Sequence, residues 1–393
     1  MLNRLKSFVS SSADRAPATG PTLPAEKWVN ELKAQVPVSL PDECDGCDTG
    51  FGEGVDGQAI RVGGQEGEEE EGDGFPAKFG VDYDSEMLGS TKPMHRLALI
   101  SSSKSDWPRD ISSDQDSLAF YLESVTRTRP PPSSSPSPAV TEIPGVYQTS
   151  ESGKLSVLAS SVEPFDDPTE EDDTNKTSVL VFPDFKVVSN VNVNKPGAQR
   201  LYDRILSPTV GLAGASTDQD TVKDGMESWV LPYRAVVLLC SHKTRDKKCH
   251  IAANLLEQVI SSTLSIHGYT ADTTGESLHD LPRSERLESI EGGDQAVKDL
   301  LRKAAGASSD TRSHGEGSKE VGVFKISHLG GHRYAGVMII CFPSGSILYY
   351  GRVTPKACVD VVEKTILRGQ VLPEHLRGGG NLRRDPGKTL LDW

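Results

Sequence analysis

The sequence predicts an α/β protein, and three observations carry that class. Val236-Val237-Leu238-Leu239 is an unbroken apolar run ending in Cys240, the pattern of a strand covered on both faces. Behind it, Ile251, Leu255 and Val259, with their neighbours Ala252, Leu256 and Ile260, recur at helical spacing until Gly268 stops the helix. Two further apolar runs, Ala335 to Ile340 and Ile347 to Tyr350, flank Ser344-Gly345, which is a hairpin signature.

Residues 1–92 read as a largely disordered acidic region. They hold 18 acidic against 8 basic residues, about −10 of the chain's net −14. Gly63-Gly64-Gln65-Glu66-Gly67 followed by Glu68 to Glu71 has nothing to bury. Within this stretch Cys44 and Cys47 form a C-x-x-C in acidic surroundings, with no nearby Cys or His to complete a four-ligand site. The expectation there is a labile, exposed pair.

Order is expected from about His95. Residues 93–230 give a first α/β domain: a strand at Arg96 to Ile100, a helix from Asp116 to Val125 capped by Asp or Ser, a strand at Ser178 to Pro183 and a helix at Gln199 to Leu206. Arg129 to Pro138, rich in Pro and Ser, is a loop. Residues 231–393 give a second domain: strand 235–239, the long helix, a polar insertion at about 269–319 with one helical stretch at Gln295 to Ala305, strand Val321 to Ile326, the hairpin, and a last helix opened by Pro355 and closed by Gly369. Strand, helix, strand, hairpin, helix is close to thioredoxin-fold order, with the βαβ unit parallel. The first domain reads as a degenerate version or a docking scaffold, because no Cys lies between Cys47 and Cys240.

Composition excludes several classes. No basic patch with interleaved aromatics points to nucleic acid, and no apolar run reaches the roughly 18 residues a bilayer span requires. Six cysteines in this length do not form a disulfide framework, which favours a reducing cytosol. Met1 to Ser12 is basic and Ser-rich like a mitochondrial presequence, but Asp14 follows early, so mitochondrial import is the alternative.

The chemistry concentrates in two loops predicted to leave the carboxyl ends of neighbouring strands, the usual edge for sites in open α/β sheets. Cys240-Ser-His-Lys-Thr-Arg-Asp-Lys-Lys-Cys249 offers two thiolates, and His328-Leu-Gly-Gly-His332 offers two imidazoles. A Cys2His2 set suits zinc or a [2Fe–2S] cluster with histidine on one iron. Arg245, Lys247 and Lys248 would favour thiolates and offset negative charge, and Gly330-Gly331 would let the backbone pass close to inorganic sulfide. His242 competes as a ligand. His250, adjacent to Cys249, points elsewhere, and Cys341 and Cys358 read as packing residues.

With His328-Leu-Gly-Gly-His332-Arg-Tyr-Ala-Gly336, the cysteine loop and, more loosely, Lys104-Ser-Asp-Trp-Pro108, the chain resembles the sucrase/ferredoxin-like family of thioredoxin-fold [2Fe–2S] proteins, in particular its fungal actin patches distal branch. The resemblance covers roughly residues 93–393. It implies a cluster held by Cys240, Cys249, His328 and His332, and a one-electron, proton-coupled redox role. By analogy with Rieske centres the potential would fall at roughly −150 to +300 mV, against about −400 mV for all-cysteine plant-type ferredoxins. His250 stands where the family usually has Gly, and Val337 where it often has Asn; neither change removes a ligand. Leu391-Asp392-Trp393 looks like the C-terminal tripeptide read by the cytosolic iron–sulfur targeting complex, a compact handle on an otherwise flexible tail. Three other readings stand beside this one: a zinc-stabilised interaction module, a thiol–disulfide redox protein, and a non-metal scaffold linked to the actin cytoskeleton. Paired carboxylates set for glycoside hydrolysis are absent.

Overall fold

The computed structural model describes residues 26–40, 72–127, 143–165, 175–306 and 317–393. Cys44, Cys47, the acidic run 63–71, the Pro-rich run 129–138 and residues 1–12 lie outside them. Order starts earlier than His95. Helix α1 (Glu26–Lys33) buries Leu32 completely in the core, and Phe75, stacked on Phe79 at 4.2 Å, is equally buried.

The first half contributes β1 (Arg96–Ser101), α2 (Leu118–Arg127), β2 (Val146–Tyr147), β3 (Leu155–Ser160), β4 (Lys176–Phe182), β5 (Lys186–Asn192), α3 (Lys195–Leu201), α4 (Asp220–Lys223) and β6 (Glu227–Val230). The second contributes β7 (Ala235–Cys240), α5 (Lys247–Ile266), β8 (Thr270–Asp272), α6 (Gly293–Ala305), β9 (Glu320–Ile326), β10 (Met338–Cys341), β11 (Ile347–Tyr350), α7 (Pro355–Asp360) and β12 (Leu376–Gly380). Local chemistry sets the helix starts. The Ser117 hydroxyl accepts from the Phe120 N–H at 3.2 Å, and Thr354 Oγ1 accepts from the Ala357 N–H at 3.1 Å with Pro355 behind it. Both α3 and α7 run on into a π-helical turn, Tyr202–Leu206 and Val361–Ile366.

All twelve strands belong to one sheet, in the order β2-β12-β11-β10-β7-β9-β3-β1-β4-β5-β6, with β8 beside β9. The sheet repeats itself. In β9-β7-β10-β11-β12 the first two strands are parallel and the rest antiparallel, and β3-β1-β4-β5-β6 has the same arrangement. Each unit has thioredoxin-like connectivity of strand, helix, parallel strand, antiparallel hairpin and helix. They join edge to edge through one antiparallel pair, Ser160↔Ile326.

Alternation along the strands distributes the core. Ala235, Val237 and Leu239 face α5 and α7, whereas Val236 and Leu238 point to a cluster that runs on through Leu97, Leu99, Leu180 and Phe182 of the first unit. Leu278, Leu287, Val297 and Leu301 of the insertion cap that shared cluster, so residues 269–306 form a lid of core rather than a polar loop. The polar spacing concealed this, because only one face of α6 is apolar.

Candidate metal centre

The centre is built on the carboxyl edge of β7 and β9, where Cys240 and Ile326 lie side by side in register. Cys240 is the last residue of β7. Cys249 is not on the loop, as the sequence reading had it, but in the first turn of α5. Asp246 caps that helix by accepting from the Lys248 N–H at 2.9 Å. The cap turns the chain back so that Cys249 lies against Cys240, and both are 3% exposed. The thiols are free. The hydrogen-bonding contact with Cys240, followed by burial, pushes the Cys249 thiol far up. Cys240 is held well below the ordinary thiol range by the hydrogen bond from Cys249. Further donation from His328 and the Leu329 N–H outweighs the cost of burial.

After β9, Ser327 and His328 leave the strand, and Gly330 and Gly331 both take left-handed backbone with φ of +78° and +75°. That turn returns the chain so that the His332 ring lies 5.8 Å from the His328 ring, centroid to centroid. The four residues thus form a row, Cys249–Cys240–His328–His332. His332 is half exposed, and its Nδ1 is fixed 3.0 Å from the Asp246 carboxylate, so Nε2 is the nitrogen available to a ligand site. His328 Nδ1 is buried without a protein partner. Met87, Tyr334 and Val337 close over the thiol end.

Several expectations change here. Arg245, Lys247 and Lys248 are exposed to solvent, and Lys248 Nζ donates to the Gly80 carbonyl. The buried cation near Cys240 is Arg377 of β12, which sequence reading missed because it sits in an otherwise unremarkable Leu-Arg-Gly-Gly-Gly strand. Gly331 makes room for that guanidinium, since a Cβ there would collide with Arg377, while the space beside Gly330 is open. Asp246 was likewise missed, although an Asp before a helix is a recognisable cap. His242, the competitor, is buried, with Nε2 on the Trp107 carbonyl at 2.8 Å and its ring 6.1 Å from that of His328. His250 points away, to Ser241 and Asn254. Cys341 and Cys358 are buried in apolar packing.

The first unit clamps the cysteine loop. Asp106 accepts from the Thr244 N–H and hydroxyl at 3.1 and 2.7 Å, and Trp107 holds His242. The loop containing Lys104-Ser-Asp-Trp-Pro108 therefore belongs to the centre's architecture.

A family model described as sucrase/ferredoxin-like matches residues 87–378, which takes in both units and all four candidate residues. The chain belongs to the sucrase/ferredoxin-like family. Among its relatives, actin patches distal protein 1 of Saccharomyces cerevisiae is 30% identical over 135 residues, 34% of this chain and 30% of that protein. Altered inheritance of mitochondria protein 32 of Debaryomyces hansenii is 40% identical over 62 residues, 15% of this chain and 22% of its own length. The counterpart of that protein in Clavispora lusitaniae is 39% identical over 59 residues, again 15% and 22%. The matched stretches thus span under a third of each relative. No solved structure matches.

The donor set is chemically compatible with a group bound by both sulfur and nitrogen. Two thiols in contact at one end and two imidazoles at the other supply soft and borderline donors in pairs, and one of those imidazoles, His328, has a buried Nδ1 without a protein partner. Among the described residues, no three His, Cys, Asp or Glu side chains are grouped to hold one metal ion. None of the described helices is long and apolar enough to cross a membrane.

Proposed function

We propose that this chain is a one-electron redox protein whose Cys240, Cys249, His328 and His332 hold a [2Fe–2S] cluster. The observation that carries this reading is the row Cys249–Cys240–His328–His332 at one sheet edge, with the two buried thiols packed together and the two imidazole rings 5.8 Å apart. When bound, such a group supplies a one-electron couple at roughly −150 to +300 mV. The protein's own residues do the rest. The Leu329 N–H stabilises the Cys240 thiolate, and Met87, Tyr334 and Val337 exclude water from the sulfur side. Asp246 fixes the tautomer of His332, whose half-exposed ring offers the route by which a proton reaches the site from solvent.

The test is a visible and EPR spectrum, with iron and sulfide analysis, of protein purified without oxygen. His328→Cys and His332→Cys variants are compared with it. The expected result is one cluster per chain and an average g-value that moves from Rieske-like toward ferredoxin-like on substitution. Unchanged spectra in both variants overturn the ligand set. Colourless protein with one zinc overturns the redox role.

A second reading is favoured by one observation. Sequence spacing argued against a dithiol couple, yet the fold brings Cys240 and Cys249 into hydrogen-bonding contact. Forming a disulfide there from one thiolate and one thiol would release two electrons and one proton to an acceptor. Metal-free protein with an oxidisable Cys240–Cys249 pair would support it. We further propose a cytosolic location, with Leu391-Asp392-Trp393 as the handle for the iron–sulfur targeting complex. The relatives named for mitochondrial inheritance support the mitochondrial alternative. The tripeptide is not a loose tail: Leu391 is buried and Trp393 packs on Gly214, so its recognition requires release. Deleting Trp393 is expected to lower cluster loading in cells without unfolding the chain.

A further inference from the structure

A cleft of about 260 Å³ opens beside the Gly330-Gly331 turn, on the face of the centre away from the cysteines. Leu97 and Tyr349 form part of its floor, His328 stands on one wall, and Lys92 and Lys154 line it at the exposed end. Arg377 lines it from the buried side, at 2% exposure. The chain carries 56 acidic against 42 basic residues, yet none of the described residues lining this cleft is acidic.

Arg377 is the telling group. Its Nε donates to Ser90 Oγ at 3.1 Å and its Nη1 to the Gly330 carbonyl at 3.3 Å, while Tyr334 lies 5.5 Å beneath the guanidinium. These hydrogen-bond and ring partners are neutral, and among the described residues no carboxylate pairs with it; its negative neighbour is the Cys240 sulfur, which makes no hydrogen bond to the guanidinium. Of the other buried arginines, Arg96 is gripped bidentately by Asp184 at 2.9 and 3.0 Å, whereas Arg352 donates to the Asp82 and Ser85 carbonyls away from this cleft. A guanidinium kept out of water without a carboxylate is costly unless an anion completes it. A planar donor fork backed by two ammonium groups is the arrangement that recognises carboxylate or phosphate.

We propose that this cleft binds a small oxyanion, a carboxylate or phosphate compound of metabolite size, between Arg377, Lys92 and Lys154 and next to His328. The volume falls just below the usual range for drug-sized ligands, which limits the occupant to a small molecule. The proposal concerns binding alone.

The test is calorimetric titration of the full chain at low ionic strength with inorganic phosphate and, separately, citrate. Saturable binding of one equivalent is expected, and the tighter probe tells phosphate from carboxylate chemistry. The exposed pair Lys92→Glu/Lys154→Glu is expected to weaken that binding about tenfold or more while the circular dichroism spectrum stays unchanged. Arg377→Gln should abolish it, but the lysine pair decides the matter should that variant misfold. Absence of saturable binding for both probes, or unaltered affinity in the lysine variant, overturns the proposal.

Discussion

The two units of the sheet share connectivity strand for strand, and they differ most at the edge where the candidate ligands lie. In the second unit, β7 ends in Cys240 and β9 runs into Ser327-His328. In the first, the equivalent strands β1 and β3 end in Ser101 and Ser160. There the hydroxyls satisfy one another and the backbone: Ser178 Oγ donates to Ser101 Oγ at 2.8 Å, and Ser160 Oγ to the Ile100 carbonyl at 3.1 Å. One edge is closed by its own hydrogen bonds, and the other leaves thiols and an orphaned imidazole nitrogen. The closed unit then serves the open one, since its loop supplies Asp106 and Trp107 to hold the cysteine loop. Repeating a scaffold thus allows one copy to become support while the other keeps chemistry.

The largest effect should come from removing the asymmetry at its source. Cys240→Ser and Cys249→Ser are each expected to reduce bound iron and sulfide to near zero, as read by elemental analysis, while the chain stays folded. Acid should next separate the units by the depth of their buried imidazoles. His375, 5% exposed, is pushed down to about 4 by burial, and His95 of the first unit moves down for the same reason. Unfolding exposes His375 at about 6.5, so the unfolded chain binds more protons between pH 6.5 and 4. His375 stability is therefore whole above about pH 6.5 and declines as pH falls toward 4. The total loss is about 3 kcal/mol at one unit per 1.36 kcal/mol. Urea unfolding across that range should show the decline, and His375→Gln should flatten most of it.

A smaller effect probes the clamp. Asp106→Ala removes two hydrogen bonds to Thr244 and should cost about 1 kcal/mol. It should show mainly as faster loss of iron to a chelator, with the thermal midpoint shifting little. The smallest effect is the control: Ser101→Cys should leave iron content unchanged, because among the described residues no second cysteine lies in the first unit. Iron gained by that variant would mean that the first unit retains a competent edge.

Much of the site was legible because its signals are local. A Cys ending an apolar strand, a second Cys nine positions on, and two His around a Gly pair need only periodicity and turn chemistry to be placed on one edge. The short strands β2, β6, β8 and β12 were not legible. Glu227–Val230 and Thr270–Asp272 are too brief for a period of two to register, and Leu376–Gly380 carries three glycines that read as loop. Leu155–Ser160, by contrast, was readable and overlooked. Arg377 and Asp246 were hidden for another reason: a charged residue carries no sequence mark that tells a buried position from a solvated one.

By itself, the sequence determined the class of the fold, the order of elements in the second unit and the identity of the four candidate ligands. Apolar spacing, caps and glycines act within a few residues and leave little freedom. Tertiary structure alone decided that the two thiols touch, that the polar insertion covers the core shared by both units, and that a buried guanidinium faces an acid-free cleft. The last two depend on pairing β9 with β3, or β12 with β11, between separate segments of the chain. The free energy of such pairing lies in buried area and satisfied donors, which no local window contains.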